Sequence, residues 1–299
     1  MTAGRAVDVI VVTYNSSAVA RRCLLSAAAD LEGCEWRAIV VDNGSLDGSA
    51  GSVAGIDRTT VIANAANVGF GAAVNQAAAG SPAPLLWILN PDCVVHPGAF
   101  AALASALDAH PECAIAAPQL LNTDGTVQAS ARGNPTAWTG LFGRHSILSK
   151  LFPGSPQARR NLPARDLVAS GVESAAVDWV MGAAMLVRRD RFAAIGGFDS
   201  RYFLYWEDAD LCRRLWARGW STRYVPGARV THAGGDSAAS DAARAIRAFH
   251  RSAYRYYATH VVPSPWHPMR WLAWAALTSR AVWKARRVNS TTPQRPTPK

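Results

Sequence analysis

The sequence lacks paired cysteines and long apolar runs. Its five cysteines form no Cys-X-X-Cys pair and stand at no spacing to histidine that suits zinc. This odd, scattered set favours a reducing interior over a disulfide framework. The first apolar run, Val9 to Val12, is too short for a secretory signal. A membrane span needs ~20 apolar residues, and the best C-terminal candidate, Trp271 to Leu277, is bounded by arginines. We therefore expect a cytoplasmic protein.

Residues 1–240 have no net charge, whereas the rest of the chain has almost no acid. Eleven Lys/Arg and one Asp fall in 241–299, which therefore carries the whole net charge of +10. The arginines alternate with aromatic residues, namely Tyr254, Tyr256, Tyr257, Trp266, Trp271, Trp274 and Trp283. This composition favours a segment that lies on an anionic membrane surface, and the alternative is a packed helical hairpin with solvated charges. No nucleic-acid partner is expected, because the body is neutral and has no nucleic-acid motif.

Short β-branched runs alternate with alanine-rich helical segments in the first half of the chain. The pattern predicts strands at 7–12, 36–41, 60–63 and 84–89 and helices at 17–29, 71–79 and 99–109. This alternation predicts an α/β fold with a mostly parallel central sheet flanked by helices. Residues 120–177 are interpreted as strand pieces and a long functional loop. Residues 179–187 return to sheet composition, and Gly182 within them permits the close approach of a backbone or ligand.

Polar clusters follow three of these strands, at Thr13-Tyr14-Asn15, Asp42 to Ser45 and Asn90-Pro91-Asp92. Ligands bind at the carboxyl ends of strands in parallel sheets. Asp42 could serve only a turn or helix cap, or it could accept hydrogen bonds from a nucleoside. Asn90-Pro91-Asp92 is ordinary turn chemistry or a site for Mg²⁺ or Mn²⁺. The glycine-rich segment 67–75 matches neither the P-loop nor the full dinucleotide fingerprint, and a tight turn explains it equally well.

Four aromatic residues among the five at 202–206 run directly into Glu207, Asp208 and Asp210. These acids could begin a helix predicted at 210–218, and an i,i+4 pair with Arg214 accounts for Asp210. The apolar neighbourhood of the other two raises a carboxylate's pKa and makes it a better proton acceptor. We therefore consider Glu207 and Asp208 as candidates for a general base. His232 and Trp179 remain open, because a lone histidine or tryptophan is more often structural than functional.

The ordered set of segments resembles family 2 inverting glycosyltransferases over about residues 7–235. The segments lie at 7–16, 41–49, 67–76, 89–92, 179–189, 196–214 and 231–232. The most specific is GGFDSRYFLYWEDADLCRR at 196–214. Within the family, Asn90-Pro91-Asp92 and the 179–189 stretch are most similar to the rhamnosyltransferase group. That group includes actinobacterial enzymes that add rhamnose to polyprenyl-diphosphate-GlcNAc during cell-wall linker assembly.

The resemblance implies a GT-A fold, with a nucleotide-sugar half at about 1–118 and an acceptor half at about 119–240. The basic segment 241–299 then forms a C-terminal helical extension, with roughly its last ten residues disordered. The implied donor is dTDP-rhamnose and the implied acceptor a polyprenyl-diphosphate-linked GlcNAc, used at the inner face of the plasma membrane. The motif that is usually Asp-X-Asp begins with Asn90 here, so its first carboxylate is missing.

Matching positions give each candidate residue a role. The implied donor-binding residues are Thr13, Tyr14, Asn15, Asp42, Asn67, Gly69 and Asn90. The implied ligands of Mg²⁺ or Mn²⁺ are Asp92 and His232. Asp208 matches the base, with Glu207 orienting it or contacting the acceptor, and the remaining acceptor residues are Trp179, Gly182 and Trp206.

Three alternative functions stay open at this point. A galactofuranosyl or N-acetylglucosaminyl transferase of the same family would use a UDP donor. A nucleotidyltransferase would need a glycine-rich, basic loop near the first strand, which Val11 to Asn15 does not provide. A sugar-nucleotide binder without activity would keep Asp42 and Asp92 but would need no base.

Overall fold

The structure is a computed structural model that describes residues 5–134, 167–234 and 242–291. Most of the predicted long loop and the predicted disordered C-terminus lie outside these ranges. The strands are β1 (Ala6–Thr13), β2 (Glu35–Asp42), β3 (Thr59–Ala63), β4 (Leu85–Leu89), β5 (Cys93–Val95), β6 (Cys113–Leu121), β7 (Ala131–Arg132), β8 (Ala175–Val177), β9 (Trp179–Val180), β10 (Ala184–Arg188) and β11 (Ser221–His232). The helices are α1 (Ser17–Asp30), α2 (Ser49–Ser52), α3 (Phe70–Ala79), α4 (Ala99–Ala109), α5 (Arg189–Ala194), α6 (Glu207–Trp216), α7 (Ala242–Tyr256) and α8 (Pro268–Thr291).

The central sheet has the strand order β3-β2-β1-β4-β10-β6-β11-β5, and β8 also pairs with β11. Its first four strands are parallel, as predicted. Strand β10 runs antiparallel to β4 and to β6, and β11 runs parallel to β6. The carboxyl ends of β1, β2, β4 and β11 therefore lie at one edge of the sheet. The residues just before β10 reach the same edge, because β10 is reversed.

The core lies on both faces of the sheet, because the helices cover both. Successive residues of β4 point to opposite sides, so Trp87 joins the cluster under α1 and α4 while Ile88 joins the cluster under α3 and α6. The Trp87 ring lies 5.5 Å from that of Phe100. Burial on both faces explains why β1, β2 and β4 have continuous apolar runs rather than alternating ones.

The helix predicted at 210–218 begins earlier, at Glu207, and ends at Trp216. Its three acids, Glu207, Asp208 and Asp210, therefore all stand in its first turn, where the helix dipole favours negative charge. The backbone N–H of Asp210 donates to the carbonyl of Trp206 at 3.0 Å. The aromatic run before Glu207 thus ends directly at the helix.

The C-terminal extension is helical, as expected, and forms a hairpin. Helix α7 continues into a π turn at Tyr257–Val261, and α8 follows after a short loop and packs back on α7. Helix α7 also packs on the aromatic segment before α6, through Trp206 and Tyr256. Within the described residues, no helix combines the length and the apolar character that crossing a membrane requires.

Candidate active site

The ends of β1 and β2 form one hydrogen-bonded unit around Asp42. Its Oδ1 accepts from the hydroxyls of Thr13 at 2.8 Å and Ser45 at 2.5 Å, and its Oδ2 accepts from the Ser45 backbone at 3.1 Å. Asn15, in the left-handed region at φ 50°, accepts from the Leu46 backbone at 3.0 Å. Asp42 therefore organises its own turn, and its Oδ2 still has capacity to accept a ligand hydroxyl or amide. The half-buried Tyr14 lies between these groups in the chain.

The glycine-rich segment makes a close contact between distant parts of the chain. Asn67 accepts from the Gly69 N–H at 2.9 Å, and the Phe70 N–H donates to the carbonyl of Phe203 at 3.1 Å. A Cβ atom on Gly69 would stand 2.6 Å from that carbonyl oxygen. The segment that carries Asn67 and Gly69 therefore rests directly on the chain that leads to Asp208.

Asp92 and His232 are neighbours although they are far apart in sequence. Strand β5 pairs with β11 so that Cys93 faces His232, and Asp92 Oδ1 lies 3.4 Å from His232 Nε2. Asp92 Oδ2 accepts from the Gly234 N–H at 2.8 Å. The Asn90 side-chain amide lies 3.4 Å from His232 Nε2. The structure thus brings together the two predicted metal ligands, Asp92 and His232, and places the predicted donor-binding residue Asn90 beside them.

The His232 ring is held in a form that leaves Nε2 available as a metal ligand. The side-chain amide of Gln128 donates to the His232 carbonyl at 2.7 Å, and its Oε1 lies 3.1 Å from His232 Nδ1. Because Gln128 Oε1 can only accept, the proton of the neutral ring stands on Nδ1, and the lone pair of the ring is then on Nε2. Burial lowers the pKa of His232, against the opposing charge of Asp92. A neutral ring facing a carboxylate oxygen fits a hard divalent cation completed by phosphate oxygens.

No cluster of three or more His, Cys, Asp or Glu side chains suited to a metal occurs in the part of the chain that the structure describes. Asp92 and His232 are two such side chains, and in proteins Mg²⁺ is commonly bound by one or two carboxylates together with phosphates.

Asp208 lies beside the turn that leads into β10. Its Oδ2 accepts from the Gly182 N–H at 2.9 Å, and its Oδ1 accepts from the Ala209 N–H at 2.8 Å. Burial raises its pKa, whereas these two hydrogen bonds and the positive charge of Arg132 lower it. A Cβ atom on Gly182 would lie 3.3 Å from the Asp208 Cβ. The half-buried carboxylate is therefore fixed in direction and has an environment that favours proton acceptance.

Glu207 is buried and differs from Asp208 in its contacts. Its Oε2 has no hydrogen-bond partner among the described residues. Burial, followed by the charge of Asp208, raises its pKa well above the usual range. The two neighbouring carboxyls influence each other's titration, and burial disfavours the charged form of each.

The two residues before Glu207 have a strained backbone. Tyr205 and Trp206 both adopt the left-handed region, with φ values of 66° and 70°. Such conformations cost about 1–3 kcal/mol each and are concentrated at functional sites. The Trp206 ring packs against Phe249 and Tyr256 of α7, with centroids 5.9 and 5.3 Å apart. The structure thus places Trp206, a predicted acceptor residue, against the C-terminal extension.

Trp179 lies on the same side of the site as Trp206, because both pack against the cluster of Tyr202, Ala209 and Tyr256. Its indole N–H donates to the Gly133 carbonyl at 2.9 Å, and the guanidinium of Arg132 lies 5.1 Å above its ring. The Asn90 N–H donates to the Ala183 carbonyl at 2.8 Å. Ala183 follows Gly182 directly, so Asp208 and Asn90, whose side chain lies beside His232, contact adjacent residues of one turn.

Sequence reasoning missed two residues of this site. Arg132 lies on β7, which pairs with β9 through Trp179, and Gln128 holds the His232 ring. Neither belongs to a recognisable motif. Only the pairing of strands that are far apart in the chain brings them here.

The chain matches two related family descriptions, "Glycosyl transferase family 2" over residues 8–156 and "Glycosyl transferase family group 2" over residues 86–288. It is also 34% identical to the N-acetylglucosaminyl-diphospho-decaprenol L-rhamnosyltransferase of Mycobacterium tuberculosis, over 91% of each chain. The chain therefore belongs to glycosyl transferase family 2 and is a glycosyltransferase.

Solved structures show the same fold at low sequence identity. The mannosyltransferase PcManGT from Pyrobaculum calidifontis, in complex with GDP-Man and Mn²⁺, is 16% identical with a TM-score of 0.56, over 97% of this chain and 76% of that one. GalNAc-T7 with UDP, GalNAc and Mn²⁺ is 17% identical with a TM-score of 0.56, over 85% of this chain and 51% of that one. These similarities confirm the predicted GT-A fold.

Proposed function

We propose that this glycosyltransferase moves L-rhamnose from dTDP-rhamnose to a hydroxyl of polyprenyl-diphosphate-linked GlcNAc, with inversion at the anomeric carbon. The observation that supports the reaction type is the fixed carboxylate of Asp208, which contacts the same turn, at Gly182 and Ala183, as Asn90 beside the Asp92–His232 pair. The relative that is 34% identical, an N-acetylglucosaminyl-diphospho-decaprenol L-rhamnosyltransferase, supports the sugar and the acceptor.

The donor binds along the carboxyl ends of β1, β2 and β4. The nucleoside contacts the unit of Thr13, Tyr14, Asn15 and Asp42, and the loop of Asn67 and Gly69 lies beside it. Asp92 and His232 would hold Mg²⁺ or Mn²⁺, and Asn90 lies next to them. The bound cation supplies charge neutralisation for the leaving diphosphate.

The acceptor binds on the side of Trp179 and Gly182, where Asp208 removes the proton from its hydroxyl. A positioned base contributes about 10²–10⁴ in rate, and attack from the face opposite the diphosphate inverts the anomeric centre. Glu207, buried next to Asp208, orients that carboxylate or contacts the acceptor. The Trp179 ring, which is oriented by its hydrogen bond to the Gly133 carbonyl, contacts the acceptor sugar.

A transfer assay with purified protein tests this proposal. We expect product only when dTDP-rhamnose, polyprenyl-diphosphate-GlcNAc and Mg²⁺ or Mn²⁺ are all present. We also expect a chelator to abolish the product, because a cation with only two protein ligands is bound weakly by the protein and is easily removed. UDP-galactofuranose and UDP-GlcNAc serve as competing donors. Faster transfer from either would contradict the proposed sugar, and undiminished transfer after chelation would contradict the cation site.

We also propose that α8 lies on an anionic membrane surface, where a lipid-linked acceptor is found. Exposed apolar side chains are concentrated there, with Trp271 62%, Leu272 62%, Trp274 51% and Trp283 53% exposed, and Trp266, in the loop just before α8, is 85% exposed. The exposed arginines of α8 are Arg280, Arg286 and Arg287. Tryptophan and arginine together suit the interface between headgroups and acyl chains.

Vesicle flotation measures this association. We expect the protein to float with vesicles of phosphatidylcholine and phosphatidylglycerol, and to float much less after the double change Trp271→Ala and Trp274→Ala. Leu25→Ala is the matched control, because Leu25 is an exposed apolar residue on α1 that is 47% exposed. A wild-type protein that stays in the soluble fraction contradicts the membrane assignment.

A further inference from the structure

The C-terminal segment 242–261 contacts the chain that leads to Asp208 at several points. The Ser252 hydroxyl of α7 donates to the Leu204 carbonyl at 2.9 Å. The Phe249 ring lies 5.7 Å from that of Tyr205 and 5.9 Å from that of Trp206. These contacts bear directly on the two residues whose backbone is strained.

His260 adds a contact to α6 itself, the helix that carries Asp208. Its Nε2 lies 2.7 Å from Asp210 Oδ1, while Arg214 donates to Asp210 Oδ2 at 2.7 Å. Arg214 also donates to the carbonyls of Ile195 and Gly197. Asp210 is buried, so its carboxylate depends on these two partners rather than on water. It stands two residues after Asp208, in the same first turn of α6.

The π turn places His260 at this contact. The backbone N–H of Val262 donates to the Tyr257 carbonyl at 2.9 Å, which closes the wider turn. Each added residue rotates the following side chains by about 100° around a helix, so the wider turn changes which side chain faces α6. The His260 ring then packs on Tyr256, with centroids 4.8 Å apart. Single π turns of this kind are frequent at functional sites.

We propose that segment 242–261 positions the catalytic carboxylate, with His260 acting as a positioning residue through Asp210 and Ser252 as a second one through Leu204. The inference rests on the proposed function of Asp208. A turn with two strained residues persists only where its surroundings hold it, and here α7 supplies those surroundings. Without them the turn relaxes and the direction of Asp208 changes, which costs rate because small displacements of a catalytic group are expensive.

The experiment compares His260→Ala, His260→Gln and Ser252→Ala with the wild-type protein and with Thr259→Ala. Thr259 is exposed in the same π turn, so its change controls for disturbance of the turn. For His260→Ala we expect kcat for transfer to fall about 10- to 100-fold, with the affinity for dTDP-rhamnose unchanged. His260→Gln recovers most of this loss, because its amide can donate at the same reach. Ser252→Ala lowers kcat in the same way, and Thr259→Ala has no effect.

Three results would overturn the inference. They are wild-type kcat in both His260→Ala and Ser252→Ala, failure of His260→Gln to recover activity, and a fall in donor affinity and thermal stability that accounts for all of the lost rate. Absence of transfer by the wild-type protein overturns the proposed function instead, and the inference with it.

Discussion

Asp208→Asn is expected to lower sugar transfer by about 10²–10⁴-fold, because an amide cannot accept the acceptor's proton. The change is nearly isosteric, and the remaining oxygen can still accept the hydrogen bond from Gly182. The proposed donor site lies at the ends of β1, β2 and β4, whereas Asp208 lies on α6, so the affinity for dTDP-rhamnose should stay within a few-fold of wild type. Single-turnover transfer and nucleotide binding, measured on the same preparation, separate the two effects.

A surface acid supplies the control for this change. Asp190 lies on α5 with a side chain that is 71% exposed, and Asp190→Asn removes one negative charge without touching the site. It should transfer at the wild-type rate. Turnover retained by Asp208→Asn would remove Asp208 from the role of base.

The pH profile of the wild-type protein bears on the same assignment. Burial raises the pKa of Asp208 above its usual value of 3.8, and only the ionised form accepts a proton. Activity is therefore present above the raised pKa and lost as the pH falls through it. The acid limb of kcat should lie above pH 3.8 and should be absent from the residual activity of Asp208→Asn.

The sequence predicts most of the donor side of the site. Thr13, Asp42 and Asn90 each follow a buried strand, and parallel strands carry their carboxyl ends to one edge. Local pattern therefore specifies both the strand and the position of the polar group. The prediction that Asp208 joins this edge needed the family resemblance, because α6 follows an aromatic run that has no periodic pattern of its own.

The acceptor side depends on pairings that no local pattern shows. The reversal of β10 between β4 and β6 brings Gly182 to Asp208, and the sequence specifies neither the direction nor the neighbours of that strand. The role of the C-terminal segment is also invisible in composition. Its aromatic and basic residues suggest a single membrane-binding surface. In the structure these residues fall into two groups: Phe249 and Tyr256 of α7 pack on Trp206, whereas the tryptophans of α8 lie on an exposed face.

Gly69→Ala is expected to impair both folding and transfer, because Gly69 carries a conformation and a contact that only glycine allows. Its φ of +93° and ψ of 159° lie in a region almost exclusive to glycine, where another residue costs about 1–3 kcal/mol. The added Cβ would also stand 2.6 Å from the Phe203 carbonyl oxygen, a backbone atom that cannot rotate away. The donor loop and the segment before Asp208 must then separate, and we expect kcat to fall about 10²-fold.

Gly33→Ala separates backbone strain from the collision. Gly33 has a φ of +81°, and a Cβ atom there meets nothing within 4 Å. Urea unfolding should show a smaller loss of unfolding free energy for Gly33→Ala than for Gly69→Ala, and transfer should persist in the former. Equal stability losses together with wild-type transfer by Gly69→Ala would mean that the Gly69–Phe203 contact does not hold the two halves of the site together. The comparison thus measures how strongly donor binding and the position of Asp208 depend on one shared backbone contact.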